Sequence, residues 1–152
     1  MKKRLAILIA SGLGLGYLPK APGTWGSVGG LALAYVCFIY SVQPLLIALC
    51  LTGLAYASIE EVEKVWGEDN QKIVVDEVAG QFLAVGFFPT DFTIYLIGFV
   101  AFRILDITKI GPIGFAERHA PKTWNTLLDD LIAGLMAAAI VGTAEFARVQ
   151  FS

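Results

Sequence analysis

Five acidic side chains stand where apolar segments begin or end, and carboxylates in such places are candidates for chemistry. Asp76 and Glu77 open one apolar segment, Asp106 closes another, and Asp129 and Asp130 open the last. A carboxylate costs roughly 2.5–3.5 kcal/mol to place at mid-bilayer, and neighbouring negative charges repel one another. Because hard divalent ions such as Mg²⁺ prefer oxygen ligands and are often held by carboxylates beside phosphate groups, these residues predict a metal site.

Two basic residues flank one of these carboxylates at helical spacing. Arg103, Asp106 and Lys109 recur every three residues, so each lies only about 60° around the helix from the one before. The resulting stripe has a carboxylate between two cations and could hold a phosphate beside a metal ion. The alternative is a structural ion pair between Arg103 and Asp106 at a helix end.

A second anion site is suggested by the segment PGTWGS at 22–27. Glycines beside Thr24 and Ser27 leave backbone N–H groups accessible, and a helix N-terminus carries partial positive charge, so a phosphate could dock here. The alternative is an ordinary helix start with Trp25 as an anchor at the membrane interface.

The composition is that of a membrane protein. The chain has 152 residues, of which 57% are hydrophobic and 16% charged, whereas an average soluble domain is roughly 45–50% apolar and about 25% charged. This length suits one domain, so we expect residues 1–152 to form a single integral-membrane unit. A net charge of -2 with scattered basic residues excludes a nucleic-acid-binding surface.

The apolar pattern predicts an all-α, multi-span membrane bundle of about four to five short transmembrane or re-entrant helices, with interfacial helices besides. We expect interfacial or re-entrant structure at 5–18 and an interfacial helix beginning at Glu60. The expected spans are Trp25–Val42, Leu45–Ile59, Val78–Phe88, Phe92–Leu105 and Leu131–Thr143.

Tracing the chain through these spans places all five carboxylates on one side of the membrane. Ten of the eleven Lys and Arg residues fall on that side, Arg148 being the exception, and the positive-inside rule makes it cytoplasmic. Gly80 and Gly134 each follow an acidic pair by about one turn, so we expect their helices to approach closely and bring the carboxylates within reach of one ion.

Four segments together resemble the phosphatidylglycerophosphatase A family in order and spacing. The segments are PGTWGS at 22–27, IVVDEVAG at 73–80, FRILDITK at 102–109 with Pro112-Ile113, and LLDDLIAG at 127–134. The resemblance implies a bacterial inner-membrane, Mg²⁺-dependent phosphatase. Such an enzyme would hydrolyse phosphatidylglycerophosphate to phosphatidylglycerol and inorganic phosphate in phospholipid biosynthesis, with the phospholipid and the membrane as its partners.

The same resemblance implies roles for individual residues. Asp106, Asp129 and Asp130 would be catalytic. If water attacks, we expect Asp129 or Asp130 to be the base while Asp76 and Asp106 hold the metal, and an aspartyl-phosphate route stays open. The implied metal ligands are Asp76, Glu77, Asp106, Asp129 and Asp130. The implied substrate-binding residues are Arg103, Lys109, Thr24 and Ser27.

The chain also departs from the family pattern in two places. Family members commonly have Lys-Pro-x-Pro-Ile where this chain has KIGPI at 109–113, and a Gly-Gly loop where it has a different sequence at 120–125. Three other functions stay open: a small cation transporter, a metal-dependent lipid-phosphate enzyme of different head-group preference, and an inactive relative that acts in assembly. The oligomeric state stays open too.

Overall fold

Every regular element that the structure describes is helical, as the sequence predicts. The structure is a computed structural model that describes residues 1–68, 70–122 and 124–151. The helices, besides a 3₁₀ turn at Leu15–Tyr17, are α1 (Lys3–Ala10), α2 (Pro22–Ile39), α3 (Pro44–Trp66), α4 (Val75–Val85), α5 (Phe92–Thr108), α6 (Pro112–His119) and α7 (Trp124–Phe151).

Within the described part of the chain, three helices are long and apolar enough to cross a membrane: α2, α3 and α7. The full crossing expected at Val78–Phe88 is wrong, because α4 has only 11 residues, or about 16 Å at the helical rise. A hydrocarbon core is about 30 Å thick, so α4 reaches only part of the way. With α5 at 17 residues, the bundle combines long and short helices.

Proline and a capping aspartate set several helix starts. Pro22, Pro44 and Pro112 each occupy the first position of a helix, where a missing N–H is harmless and the fixed φ suits the helix. Asp91 precedes α5, and its side chain accepts hydrogen bonds from the backbone N–H groups of Thr93 (2.9 Å) and Ile94 (3.2 Å).

The short helix α4 lies at the centre of the bundle, packed against α2, α3, α5 and α7. Glycines make the close contacts. A Cβ at Gly80 would lie 2.5 Å from the Asp130 carbonyl oxygen of α7, and a Cβ at Gly134 would collide with the Gly80 carbonyl. On the other side, a Cβ at Gly30 of α2 would lie 2.7 Å from the Val78 carbonyl oxygen. The close approach predicted for Gly80 and Gly134 is confirmed.

The bundle has two distinct ends, because α2–α3 and α4–α5 each run out and back. At one end, the connections after α2 and α4 line a common cleft formed by 37–39, 41–44 and 86–89. Arg148, near the end of α7, pairs there with Asp91 at 3.0 Å. The starts of α2 and α4 therefore lie together at the opposite end.

Two expected boundaries were wrong. Glu60–Trp66 does not form a separate interfacial helix but continues α3. The last helix begins at Trp124, so Asp129 and Asp130 lie in its second turn rather than at its start. The helix α1 packs against α3, and the Ala10 carbonyl accepts a hydrogen bond from the Val74 N–H (2.9 Å), which fixes the segment that leads into α4.

Candidate active site

A cavity of about 430 Å³ opens where the starts of α2 and α4 meet the last turn of α5 and the second turn of α7. All five predicted carboxylates and both predicted bases line it. These charged residues are Asp76, Glu77, Arg103, Asp106, Lys109, Asp129 and Asp130. The hairpin topology thus brings together side chains from three separate helices, with Lys109 directly after α5.

Three of the carboxylates form a compact group. Asp76, Glu77 and Asp130 each offer an oxygen atom, and these atoms all lie within 4.8 Å of one another. Asp76 is 5% and Asp130 4% exposed. Glu77 Oε2 and Asp130 Oδ1 are buried without a hydrogen-bond partner among the described residues. Buried acceptors are normally paired, so the two unpaired oxygen atoms of this trio call for a partner.

The other two carboxylates already have cationic partners. Asp106 accepts a hydrogen bond from the Arg103 guanidinium at 2.5 Å, and Asp129 accepts one from Lys109 Nζ at 3.0 Å. The structural ion pair that we considered for Arg103 and Asp106 is therefore present, and it lies inside the cavity. Two of the five carboxylates therefore have a basic partner. The other three have none among the described residues.

Lys109 also binds a carboxylate that the sequence analysis missed. Its ammonium group donates to Glu117 of α6 as well as to Asp129 of α7. Burial lowers the pKa of Lys109, but the two carboxylates outweigh burial and the net pKa is raised. Glu117 lies on a different helix from Lys109, so no helical spacing rule could have paired the two residues.

The start of α2 approaches the same charges. Arg103 NH1 lies 3.5 Å from the Ser27 hydroxyl oxygen, and that hydroxyl donates to the Gly23 carbonyl at 3.0 Å. A Cβ at Gly23 would collide with the Glu77 carboxylate, so this close approach requires glycine. Thr24 is half-buried and is absent from the cavity wall as far as the structure describes it. Ser27 thus contacts the site through Arg103, whereas Thr24 does not line it.

The protein environment disfavours the anionic forms of the trio. Burial raises the pKa of Glu77 well above its ordinary value, and the neighbouring Asp76 raises it further. The pKa of Asp76 is also raised, chiefly by burial. Because burial and like charges both penalise the ionised carboxyl, a cation held between these groups would stabilise them.

Neutral polar residues complete the wall of the cavity. Asn70 and Gln71 contribute from the segment before α4, and Thr126 contributes from the first turn of α7. The Thr126 hydroxyl donates to Glu63 of α3 at 3.2 Å. The sequence analysis missed these residues because amide and hydroxyl side chains in short polar connections carry no distinctive spacing.

The donor set fits a hard divalent cation. Carboxylate oxygens are the ligands that Mg²⁺ prefers, and Asp76, Glu77 and Asp130 present them close together. Among the described residues, one oxygen atom of Glu77 and one of Asp130 have no hydrogen-bond partner. Arg103 and Lys109 add positive charge on the same cavity wall. The cavity can therefore hold a cation and, beside it, an anionic group such as a phosphate.

Fold and site define a helical membrane protein with an acidic cavity at one end of its bundle. The family model of phosphatidylglycerophosphatase A matches residues 8–145. The chain belongs to the phosphatidylglycerophosphatase A family, which confirms the resemblance drawn from its four segments.

Individual relatives match over most of their length. The chain is 31% identical over 137 residues to phosphatidylglycerophosphatase A of Escherichia coli, covering 88% of this chain and 80% of the relative. It is 30% identical over 143 residues to phosphatidylglycerophosphatase A of Haemophilus influenzae, covering 91% and 88%. It is also 28% identical over 154 residues to a putative phosphatidylinositol-3-phosphatase of Bacteroides thetaiotaomicron, covering 93% and 94%. No solved structure matches the chain significantly.

Proposed function

We propose that this protein is a Mg²⁺-dependent phosphatase that hydrolyses phosphatidylglycerophosphate to phosphatidylglycerol and inorganic phosphate, a step of phospholipid biosynthesis. The observation that carries the proposal is one cavity that combines three carboxylates without a basic partner among the described residues with two cationic side chains. Membership of the phosphatidylglycerophosphatase A family supports the reaction and the substrate.

Asp76, Glu77 and Asp130 would hold the cation. Their oxygen atoms lie within 4.8 Å of one another, and these carboxylates lack a basic partner in the described structure. When bound, Mg²⁺ would neutralise phosphate charge and act as a Lewis acid at a phosphoryl oxygen. This geometry favours Asp130 over Asp106 as a ligand, which differs from the division that the sequence suggested.

Arg103 and Lys109 would bind the phosphate. A guanidinium can donate two parallel hydrogen bonds to phosphoryl oxygens, and Asp106 holds Arg103 at the cavity wall. Lys109 is fixed by Asp129 and Glu117, and an ammonium group has three N–H donors, so one stays available for substrate. The ion pairs thus position both bases before the lipid arrives.

Hydrolysis forms a bond from water oxygen to phosphorus and breaks the bond from phosphorus to the glycerol oxygen. We assign Asp129 to accept the proton of the attacking water. The trio would bind the cation, so Asp129 is not needed as a ligand. The leaving glycerol oxygen takes up a proton and becomes the hydroxyl of phosphatidylglycerol. An aspartyl-phosphate route would use the same carboxylate as nucleophile.

We place the cavity at the cytoplasmic face of the bacterial inner membrane. Arg103 and Lys109 line the cavity, and tracing the spans from the sequence puts ten of the eleven Lys and Arg residues on that side, the distribution expected of a cytoplasmic face. Clustering of the carboxylates at one end also argues against the cation transporter, which needs a polar pathway between both faces.

A second candidate is a lipid phosphatase with another head-group preference. The relative from Bacteroides thetaiotaomicron carries the name putative phosphatidylinositol-3-phosphatase. The neutral wall formed by Asn70, Gln71 and Thr126 could hydrogen-bond the hydroxyl groups of either glycerol or inositol.

A substrate panel tests the proposal. Purified protein in detergent is given phosphatidylglycerophosphate, phosphatidylinositol 3-phosphate or phosphatidic acid, and released phosphate is measured with Mg²⁺ or with excess EDTA. We expect the highest kcat/KM for phosphatidylglycerophosphate and only background release in EDTA. Preference for phosphatidylinositol 3-phosphate would establish the second candidate, and no release from any lipid would contradict both.

A further inference from the structure

Gln81 of α4 is a buried polar residue without an evident role. Its side chain is 0% exposed, and neither its amide oxygen nor its amide nitrogen has a hydrogen-bond partner in the part of the chain that the structure describes. Leaving a buried polar group unpaired costs about 1–3 kcal/mol, so such groups are rare in native proteins and call for an explanation.

The position of Gln81 connects it to the acidic trio. It follows Glu77 by four residues, so the two side chains are neighbours on one face of α4. Long side chains in helices tend to point back toward the N-terminal turn, and for Gln81 this is the turn that carries Glu77. Glu77 Oε2 is itself buried and unpaired. A donor and an acceptor, each unsatisfied, therefore lie one turn apart.

Helix α2 closes this face of α4. A Cβ at Gly30 would lie 2.8 Å from Gln81 Cβ, and a Cβ at Gly26 would lie 3.2 Å from Glu77 Cβ. The residue after Gln81 is the fully buried Phe82. Gln81 is thus held in a narrow space between two helices, one turn along α4 from Glu77 of the trio.

We propose that Gln81 is a positioning residue for the cation, through a hydrogen bond from its amide N–H to Glu77 Oε2 that forms, directly or through one buried water, once the cation is bound. The inference rests on the proposed function, because it takes the trio as the cation site. Carboxylates that bind metal ions are themselves held by further hydrogen bonds, and these partners fix ligand orientation. Gln81 would contact Glu77 but not the ion. It would affect the affinity for the cation by fixing the orientation of the Glu77 carboxylate.

The test measures Mn²⁺ binding by electron paramagnetic resonance, with Mn²⁺ as a probe for the site, in wild type and Gln81→Met. Methionine keeps the length of the side chain but cannot donate the hydrogen bond. Loss of such a partner typically weakens metal binding by about 10- to 100-fold, and we expect a rise of that size in the Mn²⁺ dissociation constant. Gln43→Met, at an exposed position in the opposite half of the bundle, should leave it unchanged.

Thermal unfolding in EDTA separates this role from a structural one. Because the amide is unpaired in the metal-free protein, Gln81→Met should unfold at the same or a higher temperature than wild type in EDTA, while its gain in Tm from Mn²⁺ shrinks. If Gln81→Met does not fold, Gln81→Asn keeps the amide but shortens its reach, and should weaken Mn²⁺ binding as well.

Unchanged Mn²⁺ affinity in a folded Gln81 variant would overturn the inference and leave the proposed metal site intact. Absence of Mn²⁺ binding to wild type would overturn the metal site itself, and the inference with it. The two failures are therefore distinguishable in one titration.

Discussion

At the scale of single residues, the main result is the unequal pairing of five similar carboxylates. Asp106 and Asp129 contact basic side chains at 2.5 and 3.0 Å, whereas Asp76, Glu77 and Asp130 form the compact trio. The sequence predicted all five as a group, but residue type and spacing could not show which of them a base would neutralise. That depends on side chains from other helices.

Arg103→Lys tests the phosphate-binding role at this scale. Lysine keeps the charge but loses the planar fork that contacts two phosphoryl oxygens at once. A charge-assisted hydrogen bond contributes about 1.5–3 kcal/mol, so we expect KM for the lipid phosphate to rise by roughly 10-fold or more. Phosphate release at varied substrate concentration measures the effect.

Arg4→Lys is the matched control, because Arg4 is exposed on α1 and should tolerate the same change. An unaltered KM in Arg103→Lys would remove Arg103 from the phosphate site.

At the scale of elements, helix packing through glycine decides where the carboxylates lie. The sequence predicted close approach at Gly80 and Gly134 from their spacing to the acidic pairs, and the α4–α7 contact confirms it. The sequence predicted a segment of the same 11-residue length but did not show that it lies at the centre of the bundle, packed against α2, α3, α5 and α7. An apolar segment has the same composition whether lipid or protein surrounds it. Hydrophobicity alone therefore could not distinguish a membrane-spanning helix from a short buried helix.

Gly80→Ala tests this packing. The added Cβ would lie 2.5 Å from the Asp130 carbonyl oxygen and 2.6 Å from Phe102 Cε2, so α7 must shift. Overpacking of this kind costs about 1–3 kcal/mol, and we expect a lower Tm in detergent together with reduced phosphate release, since Asp130 moves with its backbone.

Gly53→Ala provides the comparison, because Gly53 of α3 faces open space. Alanine is the better helix former, by about 1 kcal/mol, so this variant should be at least as stable as wild type. Equal Tm values for both variants would refute the close α4–α7 contact.

At the scale of the whole molecule, the out-and-back topology separates two polar ends. Asp130 and Glu145 lie fifteen residues apart on α7, about 22 Å at the helical rise. The far end holds the pairs of Arg148 with Asp91 and Glu145, and the near end holds the cavity. A lipid head group at one membrane surface could therefore reach the site without crossing the bilayer.

This topology explains why the site could be predicted in outline from the sequence. Because apolar segments alternate with turns, the residues near 76, 106 and 129 lie at the same end of the bundle. This holds even where the predicted helix bounds are off by a few residues. Contacts made across elements could not be predicted in the same way. Glu117 reaches Lys109 from α6, and Gln71 enters the cavity wall from a connection, because tertiary packing and not local spacing sets both.

The most direct test of the account is a Mg²⁺ titration of phosphate release from phosphatidylglycerophosphate by wild type and Asp130→Asn. Cation chemistry at a phosphoryl group contributes several kcal/mol, and 3 kcal/mol corresponds to roughly 100-fold in rate. We predict that wild type saturates with Mg²⁺ and that Asp130→Asn stays at least about 100-fold slower at every concentration. The control Glu60→Gln, at an exposed position of α3, should behave as wild type. Wild-type rates from Asp130→Asn, or full activity in EDTA, would contradict the central claim.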